Sequence, residues 1–143
     1  MSDDFDLDRF VQAQAGGVYE QALAELRAGR KRSHWIWFVF PQVAGLGYSP
    51  TSQRYAIGSL AEARAYLGHP VLGPRLRQSA SAARDFDGTP EELLGPVDEE
   101  KLRSSMTLFE AADPDESVFA AVLDGPYAGS RCRHTQRFLA EHP

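Results

Sequence analysis

Apolar residues recur along this chain at the three- and four-residue spacing of helices, and glycines, prolines and acidic caps separate the runs. Residues 6–14 predict a short opening helix, stopped by Gly16-Gly17. Val18, Tyr19, Ala22, Leu23 and Leu26 predict a second helix, closed by Gly29 as a C-terminal glycine. In the second half, Ser59-Leu60-Ala61-Glu62 reads as a capping box, with Leu60, Ala63 and Leu67 as an apolar stripe behind it. Residues 72–86 predict a helix with Leu72, Leu76 and Ala83 turned inward. Thr89-Pro90-Glu91-Glu92 supplies an N-cap, a proline at the first helical position and a glutamate at the third. Asp98 is expected to cap a helix carrying Leu102, Met106 and Phe109. Asp113-Pro114-Asp115-Glu116 repeats the cap–proline–acid pattern ahead of Val118, Phe119, Val122 and Leu123, and a last helix carries Thr135, Phe138 and Leu139.

The run from Trp35 to Phe40 is ambiguous. Aromatics and valine favour a strand, but a strand buried on both faces needs partners, and no convincing second strand is present. A buried helical turn or two, with Ser33 as N-cap and Pro41 as the stop, is the better reading. Residues 42–52, rich in glycine, proline and serine, read as a loop. The expected fold is mainly α: a single domain over residues 1–143, about seven helices, little or no sheet.

Composition narrows the function classes. At 143 residues the chain has the size of one ordinary domain and can bury a core without disulfides or metals. Its net charge of −5 argues against a general nucleic-acid binder. One cysteine, Cys132, permits no internal disulfide and fits a reducing compartment. The opening Met1-Ser2-Asp3-Asp4-Phe5-Asp6 has neither a basic start nor an apolar run, so a cytoplasmic location is expected rather than secretion. The longest apolar stretch is too short to span a bilayer, and no membrane association is expected.

Two segments carry candidate chemistry. In residues 30–55, Lys31 and Ser33 stand at the start of the expected helix, where free N–H groups and the helix dipole favour an anion. His34 is a candidate general base, and Trp35 and Trp37 offer flat stacking surfaces. Gln42, Ser49, Ser52, Arg54 and Tyr55 add polar groups around a glycine-rich loop. The bland alternative stands beside each: basic residues completing the previous helix, Ser33 as a plain cap, tryptophans as core. The second segment is Lys101-Leu102-Arg103-Ser104-Ser105-Met106-Thr107, where three hydroxyls crowd among core residues. They either bond back to the preceding turn or line a site. Cys132-Arg133-His134 lacks a matching ligand pair, so no metal is expected. No cofactor motif, Walker loop, hydrolase elbow or zinc-protease motif is present.

The stretch Lys31-Arg32-Ser33-His34-Trp35-Ile36-Trp37-Phe38-Val39-Phe40-Pro41-Gln42 with Gly45-Leu46-Gly47 resembles a bacterial family, domain of unknown function 1810, often labelled calpastatin. Further matches are Ser49, Ser52, Tyr55, Ala56 and Ile57, then His69-Pro70, Leu72-Gly73 and Arg75-Leu76, and finally Lys101-Leu102 with Ser104-Ser105-Met106-Thr107-Leu108-Phe109. The resemblance implies a mainly helical fold and brings no established activity. Calpastatin's inhibitory segments are disordered, whereas this chain reads as a compact globule. Some relatives are fused to a domain associated with ADP-ribose and NAD metabolism, which implies a nucleotide or ADP-ribose context. The leading expectation is therefore a pocket for a phosphorylated ligand, lined by Lys31, Ser33, Trp37, Gln42, Ser49, Ser52 and Tyr55 and by Lys101, Ser104, Ser105 and Thr107, with His34 as the catalytic candidate. The alternative is a non-enzymatic protein-interaction module, its partner unknown, in which the same groups form a buried polar network. A third reading, nucleic-acid association through Arg30-Lys31-Arg32, is opposed by the acidic balance.

Overall fold

The computed structural model describes residues 4–143; residues 1–3, part of the opening read above as lacking a secretory signal, lie outside the described residues. The described residues form ten helices and no strand. In chain order they are α1 (Asp8–Ala13), α2 (Val18–Ala28), α3 (Ile36–Val39), α4 (Pro50–Arg54), α5 (Leu60–Gly68), α6 (Leu72–Asp85), α7 (Pro90–Leu94), α8 (Glu99–Ala112), α9 (Ser117–Asp124) and α10 (Arg133–Glu141). The count exceeds the expected seven, and three of the ten, α3, α4 and α7, are pieces of only four or five residues. One of them corrects the loop expected over residues 42–52: Pro50 at the first helical position and Ser49 as cap start α4 there.

Side-chain caps start α4, α5 and α7. Thr89 and Glu92 form a reciprocal capping box at α7. At α5 the expected box is half formed: the Ser59 hydroxyl accepts from the Glu62 N–H. The Glu62 carboxylate instead accepts from the Gly58 N–H at 3.0 Å and pairs with Arg9 at 2.8 Å. α2 ends at Gly29, whose φ of 82° is the left-handed conformation that glycine adopts without strain.

α8 is the central helix, with α5, α7, α9 and α10 packed around it, while α6 bridges α2, α5 and α9. Its Leu102, Met106, Leu108 and Phe109 lie in the core beside Tyr66 of α5 and Phe119 of α9. Each such buried side chain contributes about 1.5–3 kcal/mol relative to exposure. α5 and α6 meet closely at Gly73, where a Cβ would lie 2.1 Å from the Leu67 carbonyl oxygen. The only ladder-like contact among the described residues is an isolated parallel bridge, Val43 to Ile57, which pins the loop carrying α4 at its base.

Candidate site around the two lysines

The segment after α2 is held by one carboxylate. Glu25, buried on α2, accepts from the backbone N–H of Arg32 (2.7 Å) and of Ser33 (3.0 Å), and from the Trp35 indole N–H (2.9 Å), at Oε1. Its Oε2 accepts from the Ser33 hydroxyl (2.6 Å) and the Gln21 amide (2.7 Å). Burial pushes this carboxyl's pKa up, but the bonds from Ser33, Arg32, Gln21 and Trp35 outweigh it and hold the group well below the usual carboxylate range. The expectation that Ser33 caps the following helix is thereby corrected. α3 begins after Trp35 with no side-chain cap, because the Ser33 hydroxyl is drawn back to Glu25.

With the backbone fixed, Lys31 reaches across to α8. Its Nζ lies 2.8 Å from Asp98 Oδ2, while Lys101 Nζ lies 2.8 Å from Asp98 Oδ1. The Lys31 ammonium sits 5.2 Å from the Trp35 ring centre, and Lys101 sits 5.1 Å from that of Trp37, both within cation–π range. Asp98 occupies the N-cap position of α8 but makes no side-chain cap bond, which corrects the capping role expected for it. Burial pushes its carboxyl up, and the hydrogen bonds and charges of Lys101 and Lys31 pull it down further, leaving it below its ordinary value. A cavity of about 310 Å³ opens beside this triad, and His34, Trp37, Ser49 and Thr51 share its lining.

Of the expected site residues, Lys31, His34, Trp37, Ser49 and Lys101 thus meet at one cavity. The rest go elsewhere. Ser52 is buried and locked to Ser49, its hydroxyl donating to the Ser49 carbonyl at 2.9 Å. Tyr55 packs between Phe10 and Phe38. Gln42 is buried with its amide nitrogen unpartnered. On α8, the hydroxyls of Ser104 and Thr107 donate to the carbonyls of Glu100 and Arg103, at 3.0 and 2.8 Å. Thr107 also accepts from the Cys132 N–H (3.0 Å), so it faces the start of α10. Ser105 is fully buried and its hydroxyl has no partner. The two polar segments therefore join through Lys31, Asp98 and Lys101 rather than through hydroxyls.

Asp98 and Thr51 were missed as site residues. A signal for the site was present in the residue counts: the chain has two lysines against thirteen arginines, and two tryptophans. Both lysines grip the same carboxylate, and each lies over one of the two tryptophans. Among the described residues no group of three or more His, Cys, Asp or Glu side chains could hold a metal ion, and no helix is long and apolar enough to cross a membrane.

These features define a mainly helical protein with a lysine- and tryptophan-lined cavity. The family model described as "Protein of unknown function (DUF1810)" matches residues 4–139, and the chain belongs to that family. Among solved structures, it is similar to the conserved hypothetical protein Rv1873 from Mycobacterium tuberculosis, with 52% identity and a TM-score of 0.93. That match covers 96% of this chain and 99% of the other. Comparison with curated proteins gave no match.

Proposed function

We propose that the cavity beside Lys31 and Lys101 binds a small phosphorylated ligand of the nucleotide or ADP-ribose class. The observation that carries this reading is the convergence of the chain's two lysines on one carboxylate, each over an indole face. Two ammonium groups against a single carboxylate leave positive charge for an incoming anion. The low-dielectric ring faces strengthen that attraction. Trp37 and Thr51 on the lining offer a stacking surface and a hydrogen-bond donor. His34, exposed on the same lining, is the residue suited to move a proton if the bound ligand is turned over.

The test is calorimetric titration of phosphate, AMP, ADP-ribose and sugar phosphates into the wild-type protein, Lys31→Ala and Lys101→Ala. At about 100 times its dissociation constant a true ligand adds roughly 2.7 kcal/mol of stability, which a melting experiment also reads. Binding lost in both lysine variants supports the site, and product formation abolished in His34→Ala would assign the proton-transfer role. Absence of binding by every anion tested, or binding indifferent to both lysines, removes the reading.

The five donors on Glu25 favour a second reading, a non-enzymatic interaction module whose polar groups specify the fold. In that case Ser33, Ser104 and Thr107 are fold determinants and the lysine cavity is inert toward small anions.

A further inference from the structure

We infer that the ligand carries two linked phosphoryl groups, one held between Lys31 and Lys101 and the second held outside it by Arg30 and Arg32. This rests on the anion-binding reading above and narrows its ligands to those with a pyrophosphate linkage. A second cavity, of about 380 Å³, is lined by Arg30, Lys31 and Arg32, so Lys31 belongs to both openings. Arg30 and Arg32 are exposed, and neither has an ion-pair partner among the described residues. The two openings together present four basic side chains against one carboxylate, Asp98, in a chain whose net charge is −5.

The backbone under these side chains is fixed before any ligand arrives. Arg30 donates its N–H to the Glu25 carbonyl (3.0 Å), Lys31 to the Leu93 carbonyl (2.8 Å) and Arg32 to the Glu25 carboxylate (2.7 Å). Three consecutive N–H groups are spent inward, so the basic side chains project from a pinned segment. Such pre-organisation lowers the ordering cost of binding. Guanidinium groups match phosphoryl oxygens two at a time, whereas an ammonium acts as a point charge. Lys31, shared by the two openings, thus joins a lysine-lined anion site to an arginine-lined one, an arrangement that suits a linked pair of phosphoryl groups.

The experiment compares inorganic phosphate with inorganic pyrophosphate by calorimetry, without divalent cations, in four proteins. These are wild type, Lys101→Ala, Arg30→Ala/Arg32→Ala, and a charge-matched control, Arg64→Ala/Arg137→Ala, whose residues line neither cavity. The expected result is pyrophosphate binding at least about tenfold tighter than phosphate in wild type and in the control. Arg30→Ala/Arg32→Ala should lose that advantage while phosphate affinity holds within about threefold. An equal loss in the control pair, or pyrophosphate no tighter than phosphate, overturns the inference and leaves the lysine site standing. Phosphate binding that is absent, or unchanged in Lys101→Ala, overturns the lysine site and the inference with it.

Discussion

The indole N–H of Trp35 donates to the carboxylate of Glu25 at 2.9 Å, ten residues back in the chain and on a different element. Four more donors, from Gln21, Arg32 and Ser33, meet the same two oxygens, so one acidic side chain sets the path of the segment that carries Lys31 and His34. A glutamine side chain at this position would turn an amide N–H₂ toward donors. Glu25→Gln is expected to destabilise the fold by about 3 kcal/mol or more in urea unfolding, because buried donors are left without acceptors. The pH dependence has a definite sign. The folded carboxyl lies below its unfolded value, so its stabilisation is complete above the ordinary glutamate range and is lost as pH falls toward the folded value. Wild-type stability should drop on acidification more steeply than that of Glu25→Gln; parallel acid profiles would contradict the role.

Ser33 and Ser105 separate two kinds of inward-facing hydroxyl. Ser33 donates to a charged acceptor at 2.6 Å, and Ser33→Ala should cost about 1.5–3 kcal/mol. Ser105 has no partner to lose, so Ser105→Ala should stay within about 1 kcal/mol of wild type. Thermal or urea melts of the pair read the contrast directly. A large loss in Ser105→Ala would mean that its hydroxyl is bonded in solution and that α8 contributes a polar network.

Asp98 partly neutralises both lysines. Asp98→Asn keeps the side chain's size and removes its charge, so phosphate affinity should rise by about fivefold at low ionic strength, with the gain shrinking in salt. The stability cost should be small, about 1 kcal/mol, as for other partly exposed ion pairs. Weaker phosphate binding in Asp98→Asn, measured by calorimetry, would show that the carboxylate positions the lysines more than it neutralises them.

Gly73 and Gly68 lie on either side of the short turn between α5 and α6 and predict opposite outcomes. At Gly73 an added methyl meets the Leu67 carbonyl oxygen at 2.1 Å, so Gly73→Ala must push α5 and α6 apart, at about 3 kcal/mol or more. At Gly68 nothing lies within 4 Å of an added Cβ, and Gly68→Ala should raise the melting temperature slightly through a less flexible unfolded chain. Similar melting temperatures for the two variants would refute the close approach of the helices.

What the sequence disclosed depended on range. The capping box of Thr89 and Glu92 involves neighbours three residues apart, so its pattern was readable and the structure contains it. The same local grammar misread Asp98 and Ser33. Both stand where caps belong, yet tertiary partners claim their side chains: Lys31, far upstream, claims Asp98, and Glu25, on the preceding helix, claims Ser33. A stronger electrostatic partner displaces a weaker cap, and no spacing rule reveals it. Lys31 and Lys101 were expected to line one pocket, but the carboxylate that joins them was not foreseen, since nothing in the linear order marks Asp98 as a partner of residue 31. The α8 hydroxyls of Ser104 and Thr107 took the back-bonded alternative because they face packed helix rather than the cavity.

The scarcity of lysine has a practical edge. Beyond the amino group at the start of the chain, Lys31 and Lys101 are the only primary amines the protein has. Acylating dyes, reductive methylation and amine coupling to a sensor chip therefore have, besides that terminal amine, only the cavity to react with. A molecule immobilised through either lysine presents its mouth to the matrix, and in a binding assay that molecule would read as inactive. Acylation can instead serve as a footprint: a ligand seated between the two side chains should shield both from the reagent, and mass spectrometry would count the amines left unmodified.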